Sequence, residues 1–268
     1  VTSFRQAAAV FRRDARIQLS YPFQMVSQVT GPMLMVFSFF FIGRLVGDSP
    51  ALARYEGGYF PFVVVGLVVV RLADSALSAF TAGIRAEQAS GTLELILASP
   101  TRLSRLFAGW MAWPLTVAGV QAGILFVASV VVAGGAFDLA AIPAAVPAFV
   151  LTVGSFAAIG LVSGAFVVVT KRGDPFGPLV MAATNLVAGA LFPVEILPGW
   201  LQALARAFPA FYGFNAMRAV LLGGESFLST LDELAVLAVF DLALVAAGLW
   251  LVGRALTLAR VTGTLATG

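Results

Sequence analysis

Between Phe23 and Leu45 the chain carries one ionisable residue, Arg44, and long stretches of this kind recur along its length. A lipid interior offers no water to backbone N–H and C=O groups. A segment that crosses it must satisfy them internally, which a helix of about 20 apolar residues does. Further stretches fall at about 59–80, 106–133, a run ending near Val169, 176–193 and 234–253. The sequence is 60% hydrophobic and 11% charged, with mean hydropathy +0.98, whereas a soluble domain carries roughly a quarter charged residues. The expected fold is all-α and integral to a membrane: a single transmembrane domain over residues 1–268 with six transmembrane helices.

The missing residue types narrow the chemistry. There is no His and no Cys, so His-assisted nucleophilic triads, thiolate zinc sites and haem ligation by either residue are excluded. Lys171 is the one lysine and follows Thr170, so the G-x-x-x-x-G-K phosphate loop cannot be built. The chain is expected to hold no ATP site, no metal and no cofactor of its own. Its net charge of +3 and pI near 9.8 come mainly from Arg beside the spans. That pattern belongs to membrane topology rather than nucleic-acid binding.

Residues 4–18 place Phe4, Ala8, Phe11 and Ala15 on one helical face and Arg5, Arg12 and Arg16 on another. This predicts a basic amphipathic helix lying along an anionic leaflet rather than a secretory signal. Tyr21-Pro22 ends it, and Pro32 is expected to kink the first span without breaking it. With the N-terminus cytoplasmic, inside segments hold Arg5, Arg12, Arg13, Arg16, Arg85, Arg102, Arg105, Lys171, Arg172, Arg254 and Arg260, which is 11 of the 16 basic residues. Outside segments hold Arg44, Arg54, Arg206 and Arg218, and Arg71 lies within a span. The bias predicts a multi-pass plasma (inner) membrane protein with both termini cytoplasmic. No internal repeat is visible, which gives an inverted-repeat transporter no support.

Residues 195–223 are apolar but interrupted by Pro198, Pro209, Arg206 and Arg218. A full span there would bury two Arg at about 2.5–3.5 kcal/mol each and would break the inside/outside parity. Two short re-entrant helices dipping in from the outer face remove both problems, with Trp200 at the interface.

Between the second and third spans, residues 85–103 form a polar interruption. Glu87, Ser90/Gly91 and Glu94 recur at helical spacing as a polar stripe, with Leu93, Ile96 and Leu97 opposite. The expected element is a cytoplasmic interfacial helix over 87–100. The run Glu87-x-x-x-Gly91-Thr92-Leu93-Glu94-x-x-Leu97-x-Ser99-Pro100 resembles the signature of ABC-2 type permeases, the membrane subunits of one class of ATP-binding-cassette exporters. A second stretch, Phe192-Pro193-x-Glu195-x-x-Pro198-x-Trp200, followed by Pro209, Tyr212 and Arg218, is similar to the segment that precedes paired outer-leaflet helices in that family. The resemblance covers essentially the whole chain. It implies a six-span permease that pairs with a second permease copy or paralogue and docks two cassette ATPase subunits, which would hold the ATP and Mg. It further implies that Glu87, Gly91, Thr92, Leu93, Glu94 and Leu97, with the N-terminal helix, contact the ATPase. The outer helices would cap the exit.

Arg71 and Asp74 lie i, i+3 near the middle of the second span and are expected to pair on an inward face, lining a pathway or a dimer interface. Asp241 in the last span is a weaker member of the same group, near the outer interface. Glu195 is expected to cap a short outer helix. The expected activity is outward movement of a hydrophobic drug, lipid or lipid-linked glycan by alternating access. The alternatives are a proton-coupled secondary transporter using Asp74 and Asp241, or a membrane-embedded lipid-modifying enzyme.

Overall fold

The computed structural model describes residues 2–47, 50–53, 55–92, 103–133, 135–170, 174 and 176–261. Among these there is no strand. The helices are α1 (Thr2–Leu19), α2 (Pro22–Val46), α3 (Tyr59–Ala89), α4 (Leu103–Ala133), α5 (Ile142–Thr170), α6 (Phe176–Leu186), α7 (Gly199–Ala205), α8 (Pro209–Leu222) and α9 (Leu231–Val261). Among the described residues five stretches are long and apolar enough to cross a membrane: Val26–Val46, Tyr59–Ala89, Phe107–Ala133, Leu139–Thr170 and Phe227–Ala255. The bounds of the first and third follow the apolar runs read from the sequence, and α2 continues through Pro32 without a break.

The expected fifth span over 176–193 takes a different form. Its helix stops at Leu186 after 11 residues, about 16 Å at the helical rise, and a non-helical stretch follows in which Ala188, Gly189 and Ala190 are buried. The chain then makes a single 3-10 turn at Val194–Ile196 before α7 and α8. Breaking a helix inside a bundle frees backbone carbonyls, which is tolerated only where other groups bond them.

The core forms around α3. It is the most buried long helix, packed by α5 on one side and α4 on another, and Phe62, Val63, Val64, Ala73 and Leu77 are all nearly inaccessible. Close approach depends on small residues. A Cβ on Gly66 of α3 would lie 2.0 Å from the Ala190 carbonyl oxygen, so only glycine admits the broken segment there. By contrast α2 buries little, and Leu34, Phe37, Phe41 and Leu45 point outward. An apolar surface of that kind suits a helix at the lipid edge.

Candidate functional site

Helix α3 does not end where its apolar pattern does. It runs nine residues past Phe80, to Ala89, with Ser90 as its C-cap. Gly91 adopts φ 65°, its N–H bonds the Gln88 carbonyl at 3.1 Å, and the Thr92 N–H bonds the Glu87 carbonyl at 3.0 Å. That pair of bonds is the Schellman stop, and the left-handed conformation it needs favours glycine. Glu87 therefore belongs to the last turn of α3 rather than to the start of a helix over 87–100, and α3 stops at Gly91. Leu93, Glu94 and Leu97 lie outside the described residues, as do Arg102 and the turn residues Lys171 to Gly173.

Glu87 is 4% exposed, which a carboxylate tolerates only with partners. Arg13 of α1 donates Nη1 to its Oε1 at 2.9 Å, and the Thr92 hydroxyl donates to its Oε2. The same Arg13 also bonds Asp14 through Nε at 2.9 Å. Two further contacts fix α1 against α4: Trp113 Nε1 donates to the Gln18 amide oxygen, and the Phe11 and Trp113 rings meet edge to face at 5.3 Å. The N-terminal helix is thus tied to the end of α3 and the side of α4. The basic-helix pattern showed that α1 exists; that Arg13 would find Glu87, 74 residues away, had no local signal.

A second group lies deeper. Counting 1.5 Å per residue from Tyr59 puts Arg71 and Asp74 about 18 and 23 Å along α3. Among the described residues the expected Arg71–Asp74 ion pair does not form. Arg71 Nε instead donates to Gln121 Oε1 of α4 at 3.0 Å, and Gln121 Nε2 donates to Gln28 Oε1 of α2 at 3.2 Å. The two glutamines were not singled out by the sequence reading, although Gln within apolar runs was the available sign. Arg71, Asp74, Ser78 and Arg85 are all exposed along one side of α3. Asp74, Ser78, Thr81 and Arg85 face Asp174 and Met181 across a cleft of about 460 Å³. Asp174 Oδ1 accepts from the N–H groups of Phe176 and Gly177, at 2.9 and 3.1 Å, at the start of α6.

Asp241 sits apart, joining α9 to α5 through the Ser155 hydroxyl and lying against Gly154. Ser155 is 13 residues into α5, so Asp241 is well inside the bundle rather than at its outer edge.

The broken segment has its own anchor. Arg218 of α8 is 1% exposed. Its Nε donates to the Phe62 carbonyl at 3.1 Å, Nη1 to Gly189 at 2.6 Å and Nη2 to Ala190 at 2.8 Å. Its guanidinium carbon lies 3.5 Å from the Phe62 ring centroid. Two of these acceptors are carbonyls freed where α6 gives way to irregular chain, so a rigid planar fork fits where a helix ladder is missing. The carboxyl end of α8 meets the two loops beside it, since the Glu56 N–H bonds the Leu222 carbonyl at 2.8 Å and Asp138 N–H that of Leu221 at 3.1 Å. In the preceding stretch Phe192 is half-buried, Pro193 buried, and Pro198 and Trp200 exposed. Glu195 is exposed in the 3-10 turn, and its carbonyl accepts from Gln202 at 3.3 Å.

A family model described as ABC-2 family transporter protein matches residues 75–250. The chain belongs to this family. Nodulation protein J of Rhizobium leguminosarum bv. trifolii is 28% identical over 206 residues, 74% of each chain. Nodulation protein J of Rhizobium meliloti (strain 1021) is 27% identical over the same length and share. The Linearmycin resistance permease protein LnrN of Bacillus subtilis (strain 168) is 27% identical over 161 residues, 60% of this chain and 41% of that protein. The protein is accordingly a multi-pass membrane component of the ABC-2 permease family, whose members work with ATPase partner subunits. The matched region holds Glu87, Gly91, Thr92, Arg218 and Asp241 of this permease, while Arg13 lies N-terminal to it.

Proposed function

We propose that this permease moves a hydrophobic drug, lipid or lipid-linked glycan outward by alternating access, driven by two separate cassette ATPase subunits that hold ATP and Mg. The observation that carries the reading is the exposed Arg71–Asp74–Ser78–Arg85 side of α3. Charges at that depth are too costly to face hydrocarbon, so this side lines a pathway or meets a second copy or paralogue. In this reading both termini lie in the cytoplasm of an inner-membrane protein, with α1 along the inner leaflet and α7 and α8 re-entrant from outside; the bias of Lys and Arg toward one set of loops supports it. The sixth crossing is completed by α6 and the irregular chain after it. The ATPase engages the end of α3, α1 and the stretch through Leu93, Glu94 and Leu97, and favours one conformation by binding the two states unequally.

Two experiments test this. ATPase turnover of the cognate cassette subunit is expected to depend on the permease in nanodiscs, and Glu94→Lys is expected to reduce that dependence. Failure to form any complex with a cassette subunit, while the permease stays folded, would overturn the reading in favour of proton coupling. Separately, Arg71→Leu deletes a bond to the buried Gln121 amide, a loss of about 1–3 kcal/mol, and removes a cation from the polar side of α3. Impaired pairing or impaired transport is expected; normal assembly together with normal transport would remove Arg71 from the pathway and interface.

A further inference from the structure

At the Glu87 end of the bundle, a groove of about 700 Å³ between α5 and α9 is left unused by the preceding reading. Its walls are apolar: Val162, Phe166 and Val169 from α5 face Leu251 and Leu258 from α9, and Phe176 closes one end. Two threonines also line it, but their hydroxyls donate inward, Thr170 to the Phe166 carbonyl and Thr257 to that of Gly253, both at 2.9 Å. Among the described lining residues the charged one is Arg254. Its guanidinium carbon sits 5.1 Å from the Trp250 ring centroid, and that ring is itself 59% exposed.

Depth gives these features a common meaning. Arg254 is 23 residues beyond the start of α9, about 35 Å along the helix, which matches the distance across a bilayer's hydrocarbon. The apolar stretch Phe227–Ala255 ends there as well. An exposed Trp one turn before an Arg is the residue pair expected where acyl chains give way to head groups. An apolar slot with a cation at head-group level matches one molecule with two chemistries. Basic pockets between helices on the cytoplasmic side suit anionic head groups.

We propose that this groove binds an anionic phospholipid of the inner leaflet, its acyl chain against Val162, Phe166 and Leu258 and its phosphate on Arg254. The intact chain in detergent would be titrated with phosphatidylglycerol or phosphatidylcholine, and bound lipid counted by native mass spectrometry. About fivefold stronger retention of phosphatidylglycerol is expected, the effect of a single basic residue near the surface. Arg254→Gln should erase the preference and Arg254→Lys should keep it, and both are expected to fold because the side chain is exposed. Val162→Trp, which fills the slot, should lower retention of both lipids without changing the oligomeric state. Equal retention of the two lipids by the unaltered chain, or a preference that survives Arg254→Gln, would overturn the proposal. So would a loss of pairing in Val162→Trp, which would assign the groove to a second copy.

Discussion

Arg218→Leu is expected to lower the melting temperature of the solubilised permease by about 10 °C, through loss of roughly 3–5 kcal/mol. Burying a guanidinium in a membrane protein costs about 2.5–3.5 kcal/mol on insertion scales, so leucine recovers that cost. Each bond from a charged donor contributes about 1.5–3 kcal/mol, and Arg218 makes three of them to backbone carbonyls. The bonds outweigh the burial, and leucine leaves the Gly189 and Ala190 oxygens without this donor in a buried place. Arg218→Lys keeps the charge but not the planar fork, so an intermediate loss is expected. Melting curves by intrinsic fluorescence decide it, and an unshifted midpoint for Arg218→Leu would mean that the broken segment does not depend on this side chain.

The second large effect concerns Arg13 and Glu87, and it is asymmetric. Arg13→Gln takes the one cation among its described partners from a carboxylate that is 4% exposed and leaves it the Thr92 hydroxyl, whereas Glu87→Gln leaves a half-exposed guanidinium that keeps Asp14 at 2.9 Å. Removing one partner is expensive mainly when the survivor is buried. Arg13→Gln is therefore expected to cost about 1–3 kcal/mol and Glu87→Gln clearly less, with the double substitution resembling Glu87→Gln alone. ATPase stimulation should fall by more than half in Arg13→Gln and recover in the double variant. Equal losses from the two single substitutions, or additive losses in the double, would show that the contact is incidental.

What could be read from the sequence was set by the bilayer. A span needs a minimum apolar length, so 23–45 and 106–133 agree closely with Pro22–Val46 and Leu103–Ala133. The end of α3 escaped that logic because its last turns are polar, as a helix leaving the membrane should be, so Glu87 reads as the start of the next element rather than the close of this one. Gly91 was the readable sign, since a glycine after a helical run marks a left-handed stop. The early end of α6 had almost no hydropathy signal, because Val187 to Phe192 is as apolar as a span. Arg218 was counted as an outer loop charge, and its partners lie 28, 29 and 156 residues away in sequence. Local pattern cannot report contacts of that range. The Arg71–Asp74 spacing allowed a pair, but a glutamine on α4 competes for the guanidinium, and only packing decides between them.

The continuity of α3 has a mechanical consequence. Helices α2, α4 and α5 each contain an interior proline, at Pro32, Pro114 and Pro147, where a helix bends most readily. Beyond Pro61 in its first turn, α3 has none over 31 residues, about 46 Å. It behaves as a stiff rod, held at one end through Glu87 and at the other through the Phe62 carbonyl. A tilt imposed at the Arg13 contact would meet no proline hinge along the way. It would reach Arg218, and so the irregular chain of Gly189 and Ala190, through the bond to the Phe62 carbonyl.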